Sequence, residues 1–210
     1  MALMESVTII KDVVLVGAAI TGAIVAVKGL STWKKQIRGQ SEYELSKALL
    51  VTLLRYRDAI DEVRNPGMWA AEMPYPPAAQ EEKMNEQEIQ FYGRFEAYKA
   101  RWERVQEQRT ELYPNLLEAE AIWGKELKDL FSKIFSLEHE LLTQVRHCLD
   151  LENPKTPESR KEAIMKIDEK RRNVLYDDLG EEPDEYKSDI QSAIGEIEVF
   201  LKPKLQHDIV

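Results

Sequence analysis

The chain has 210 residues, enough for one domain with an anchoring segment and short for two. Hydrophobic residues make up 43% and charged residues 32%, a globular balance that excludes a wholly disordered chain. The net charge of −9 sets the chain as a whole against phosphate backbones, so nucleic acid is not an expected partner.

The charge is unevenly spread. Between Lys28 and Arg57 there are seven basic residues and two acidic ones, Glu42 and Glu44, so the acid excess lies further along. The single cysteine, Cys148, cannot form an intramolecular disulfide and fits a reducing compartment.

The segment Val13 to Val27 carries no charge, and extended to Val7 and Leu30 it covers 24 residues. A spanning helix needs roughly 20 mostly apolar residues. The extended stretch suffices if Lys11 and Lys28 snorkel to the headgroups. Asp12 is the awkward residue, too short to reach far. Three readings compete with a span. A cleaved signal peptide would want a positive start and an A-x-A site, and neither is present. An interfacial helix would need a polar face. A buried core helix would also suit fifteen apolar residues. The span is the preferred reading.

Lys28, Trp33, Lys34, Lys35 and Arg38 follow the span, against Lys11 alone before it. The positive-inside rule then puts the C-terminal side in the cytoplasm, with this collar at the lipid headgroups. Within the span, Ala18, Gly22 and Ala26 recur every fourth residue and form a candidate helix-association face, with Gly17 and Thr21 a neighbouring small pair. Small residues are common in membrane helices, so background composition competes with that reading.

Ser41 to Arg64 reads as an amphipathic helix, with Leu45, Ala48, Leu49, Leu53, Tyr56, Ile60 and Val63 three and four apart. Ser41 and Glu44 have capping-box spacing, and Gly39 either interrupts the run or is passed through. Asn65 to Pro77 holds four prolines and breaks the helix. Its Trp69 and Tyr75 make it a candidate docking loop, although packing of these aromatics onto neighbouring helices is preferred.

Gln80 to Leu112 predicts a second helix, striped by Phe91, Phe95, Tyr98, Trp102 and Val105. After Pro114 a third carries Trp123, Leu127, Leu130, Ile134, Leu137 and Leu141, extended by Val145 and Cys148. This 3.5-residue period describes helices crossing at a shallow angle, in a bundle or coiled coil. Pro114 either opens a new helix, giving a hairpin, or kinks one helix running to Leu151, about 108 Å long at 1.5 Å per residue. The hairpin is favoured.

Asn153 to Pro157 is another break, and a charged helix is expected over Glu158 to Leu179. Gly180 to Asp184 should turn the chain. Ile190, Ile194, Ile197 and Leu201 then mark a helix over Tyr186 to Leu201, with fraying from Pro203.

No catalytic constellation emerges. His139-Glu140 would need a histidine where Thr143 stands, and no Glu-x-x-His pair exists, so no metal set is expected. His139, between Glu138 and Glu140, reads as a solvated face. Cys148 and its neighbour His147 point about 100° apart on a helix, and Cys148 continues the apolar row as a buried, inert thiol. Gly124-Lys125 lies inside a helical pattern, no phosphate-binding glycine loop is present, and the acidic run from Glu181 lacks calcium-loop spacing.

The sequence therefore predicts an all-α chain. A single transmembrane helix (1–30) is followed by a basic collar (31–40), a helical cytoplasmic domain (41–202) with a proline-rich loop (65–77), and a tail (203–210). The expected role is a membrane-anchored scaffold or interaction module, with the bilayer and a protein partner or second copy as partners and no cofactor or small-molecule ligand. The rivals are an oligomeric component of a transport or channel complex, and a bundle enzyme with a carboxylate site.

Overall fold

A computed structural model describes residues 2–77, 83–176 and 184–206, and within these the side chains of residues 2–14, 16 and 19 lie outside the description. The described residues hold five α-helices, one short 3-10 turn at Ala70–Glu72, and no strand. The helices are α1 (Ala2–Arg64), α2 (Glu86–Trp123), α3 (Glu126–Glu152), α4 (Glu158–Asp168) and α5 (Glu185–Leu205).

α1 has 63 residues, which at 1.5 Å each is about 95 Å. It passes through Gly39 without a break, so the apolar N-terminal run and the first bundle helix are one rod. Ser41 is consequently mid-helix and does not cap. The capping box sits instead at the start of α2, where Asn85 Oδ1 accepts from the Glu88 N–H and the Glu88 carboxylate accepts from the Asn85 N–H, at 2.9 and 3.0 Å.

The bundle is built from residues 45–64 of α1 with α2, α3 and α5. Each of these packs on two others: α1 on α2 and α5, and α3 on the same pair. Contacts fix the directions. Arg104 meets Glu62 and Arg55 meets Glu111, so α2 runs antiparallel to α1. Arg94 meets Glu152 and Arg109 meets Glu138, so α3 reverses again. Arg64 meets Asp184 at the start of α5, while Lys204, near the other end of α5, lies over Trp123. The result is an up-down-up-down four-helix bundle. Its core includes Leu49, Leu53 and Ile60 of α1, Val105 and Leu112 of α2, Leu127, Phe131 and Ile134 of α3, and Ile197 and Leu201 of α5, all buried. Each such side chain contributes roughly 1.5–3 kcal/mol by leaving water.

Pro114 makes neither a hairpin nor the long kinked rod. It lies inside α2, and the reversal comes ten residues later at Gly124. Tyr113 and Pro114 face solvent, so water can serve the carbonyl that the proline leaves without a donor. Leu112, Leu116 and Ala119 are buried, and only continued helix keeps all three on the core. Gly124 adopts φ +82°, ψ −165°, a backbone conformation that is nearly glycine-only, and its N–H still closes onto the Glu120 carbonyl at 3.0 Å.

The helix expected to reach Leu179 ends at Asp168. The chain beyond it runs across the bundle, with its backbone groups held by side chains. Gln144 accepts from the Val174 N–H and donates to the Arg172 carbonyl, while Arg64 donates to the carbonyls of Val174 and Tyr176. Val174 and Leu175 are thereby buried without helix. Most of the expected turn at Gly180–Asp184 lies outside the described residues. α5 continues through Pro203 to Leu205, so fraying does not begin at the proline.

Candidate anchoring surface and buried polar contacts

The two halves of α1 differ sharply. From Ile20 to Arg38 every side chain is exposed, whereas from Leu45 onward one face is buried. Ile20 is 56% exposed, Val25 64% and Val27 70%, and Leu15, Ile24 and Leu30 are likewise open. At 100° per residue these positions point to every side of the helix. The described part of this segment is therefore not a core helix of the chain itself.

No helix among the described residues is long and apolar enough to cross a membrane. Within the apolar stretch 13–27, the side chains of residues 13, 14, 16 and 19 lie outside the described residues. Lys11 and Asp12 are outside it as well.

Ala18, Gly22 and Ala26 share one exposed face, and a Cβ placed on Gly22 would meet nothing within 4 Å. Gly17 is equally open and accepts, through its carbonyl, a hydrogen bond from the Thr21 hydroxyl at 2.9 Å. The collar residues Lys28, Trp33, Lys34, Lys35 and Arg38 are all exposed, with Arg38 bonded to Glu42 at 2.9 Å.

The proline-rich loop differs from expectation. Trp69 is 76% exposed and Tyr75 63%, so these aromatics do not pack onto the helices. Met68 packs against the core and Met73 lies against Gly93, where its Cβ leaves 3.1 Å for any added methyl. The loop needs no aromatic staple because Arg101 holds it from inside. This guanidinium donates to the carbonyls of Glu62, Asn65 and Gly67 at 3.0, 2.7 and 2.6 Å, and twice to Glu72. Beside the loop a groove of about 690 Å³ is lined by Tyr75, Phe91, Arg94, Lys161 and neighbours. Phe91 and Phe95, expected in the core, lie at its edge or in solvent, whereas Gly93 and Ala97 take the core face of α2.

Among the described residues Glu138 is the one buried carboxylate, 2% exposed. It accepts from the Tyr56 hydroxyl, from Arg109 at 2.9 Å and from Gln106 at 3.2 Å. His139, next to it, faces solvent as expected. Arg64 is buried at the opposite end from Gly124, over the Tyr186 ring at 4.7 Å and paired with Asp184 at 2.8 Å. Sequence reasoning missed these three groups. The signal was a charge standing in an apolar row: Arg101 between Tyr98 and Val105, Glu138 between Ile134 and Leu141, Arg64 four after Ile60.

Such an arrangement holds helices together. Glu138 is countered by Arg109, and no cluster of three metal-ligating side chains exists among the described residues. Cys148 is half-buried, its thiol pushed up to about 11 by desolvation and then by Glu152. It is a poor nucleophile at neutral pH. His147 turns away from it, to Asp168 at 2.8 Å. No family model, no curated protein and no solved structure matches this chain.

Proposed function

We propose that this chain is a membrane-tethered helical scaffold, whose N-terminal rod enters the bilayer and whose bundle is held on the cytoplasmic side to meet a protein partner or a second copy. The observation that supports it is the exposed apolar circumference of α1 before the bundle. A helix apolar on all sides needs either a protein core or lipid around it, and the bundle supplies no core there. In water such a surface would be a large exposed apolar patch. The collar then lies at headgroup depth, where Trp33 and the lysines suit an interface. Ala18, Gly22 and Ala26 would allow close approach of a second span.

The rod also sets a spacing. From Leu30 to Arg64 it runs roughly 50 Å, so the loop with Trp69 and Tyr75, and the groove beside it, stand at the membrane-distal end. That is the surface the scaffold offers to a partner.

Fractionation of cells expressing the full chain tests the reading. Retention through a carbonate wash, with the bundle protected from protease added to intact spheroplasts, supports it. Release as a soluble protein removes the tether, and retention with a digested bundle reverses the orientation.

A further inference from the structure

Where the rod leaves the bundle there is a cleft of about 470 Å³. Lys34, Ile37, Arg38, Ser41 and Glu42 of α1 line one side and Ile122, at the end of α2, lines the other. Its chemistry is divided. Ile37 and Ile122 are apolar and exposed, at 49% and 37%. Lys34 makes no ion pair among the described residues, and Arg38 commits only its Nε edge, to Glu42. Nearby, the Lys204 ammonium lies over the rings of Trp123 and Phe200 at 4.7 and 4.6 Å, which places a further cation at this end of the bundle.

We infer that this cleft seats the headgroup of an anionic phospholipid, with the phosphate between Lys34 and Arg38 and the glycerol end against Ile37 and Ile122. The inference rests on the membrane-tethered reading and refines it: the near end of the bundle is seated on the leaflet. A bilayer suits the cleft as occupant for two reasons. The cleft continues directly from the collar, about 10 Å along the helix from Leu30 to Ile37. A negative leaflet surface attracts basic side chains over a comparable distance, about 8–10 Å. A chain with net charge −9 would otherwise be repelled from that surface. The local cations at the cleft oppose the bulk repulsion and fix which end faces the lipid.

The test is to reconstitute the full chain, carrying Cys148→Ala, in vesicles of phosphatidylcholine alone or mixed with phosphatidylglycerol. A spin label is placed at Ile122→Cys or, as a separate control, at Val25→Cys. The expected result is a lipid-buried label at 25 in both vesicles. The label at 122 should lose access to an aqueous relaxant several-fold only with phosphatidylglycerol, and Lys34→Glu with Arg38→Glu should abolish that protection. A label at 25 in lipid with a label at 122 fully aqueous in both vesicles overturns the docked cleft and leaves the tether standing. An aqueous label at 25 overturns the tether and the cleft together.

Discussion

The Tyr56 hydroxyl on α1 donates to the buried Glu138 carboxylate on α3, joining two helices across 82 residues of sequence. Arg109 of α2 reaches the same carboxylate and stacks over the Phe135 ring at 4.6 Å, so three helices meet at one acid. Tyr56→Phe removes a hydrogen bond to a charged group and should cost about 1.5–3 kcal/mol. Glu138→Ala should cost about 2–4 kcal/mol, below the usual figure for a broken buried pair because Arg109 is partly exposed and can turn to water. A double-mutant cycle by urea denaturation should show coupling of at least about 0.5 kcal/mol. Strict additivity would mean that the contact does not couple α1 to α3.

Arg101 gathers the end of α1 and the proline-rich loop through one planar group. Arg101→Ala leaves three carbonyls and Glu72 without their donor and should cost about 3–5 kcal/mol. Arg101→Lys should recover little, since a single ammonium cannot reach carbonyls in three directions. Limited proteolysis provides an independent reading: cleavage within 65–77 should speed up in both variants, and an unchanged rate would show that the loop is held by something else.

Two glycines should respond in opposite directions. Gly124→Ala forces a side chain into a backbone conformation close to glycine-only and should destabilise by about 1–3 kcal/mol. Gly195 lies within α5, where an added Cβ meets nothing within 4 Å. Gly195→Ala should stabilise by about 0.5–1 kcal/mol through the lower entropy of the unfolded chain. Melting temperatures that fall in both variants would contradict the second half of this pair.

Stability should fall on the alkaline side. Desolvation and Glu152 raise the Cys148 thiol to about 11 in the folded chain, against about 8.5 in an unfolded one. Below about 8.5 both states keep the proton and the thiol adds no pH dependence. As pH rises towards 11 the unfolded chain releases the proton first, so unfolding becomes easier. Burial also raises the Tyr98 and Tyr56 phenols, with Tyr176 and Glu138 respectively beside them, which carries the decline further up the scale. Melting followed from pH 8 to 11 should show the fall, and Cys148→Ala should flatten its first part. A thiol reagent at pH 8 should modify the folded protein slowly; a rate equal to that of a free thiol would mean Cys148 is neither shielded nor shifted.

Much of the helical plan was legible in the residues. Ile190, Ile194, Ile197 and Leu201 mark the buried face of α5, and Leu127, Ile134 and Leu141 that of α3, because a regular apolar period leaves little choice of face. The breaks at Asn65–Pro77 and Asn153–Pro157 were equally plain, since proline clusters stop helices wherever they occur. The apolar N-terminal run and the basic residues after it were visible for the same reason, as composition and order along the chain.

The rest depended on partners distant in sequence. Pro114 carries a local signal to stop, but the burial of Leu112, Leu116 and Ala119 against other helices outweighs it, and the reversal passes to Gly124. The stretch after Asp168 has a helical pattern, yet Arg64 and Gln144, more than a hundred and about thirty residues away, hold its backbone in another form. Arg101 and Glu138 could be seen as charges in apolar rows, but whether such a charge is solvated or satisfied inside is decided by what stands opposite. Period and punctuation act over a few residues, so sequence alone determined the all-helical class, the buried faces of α3 and α5, the breaks at 65–77 and 153–157, and the apolar N-terminal run. Where α2 gives way to α3, where the helix after Pro157 ends and which charges are buried are set by long-range packing, and only the tertiary structure decided them.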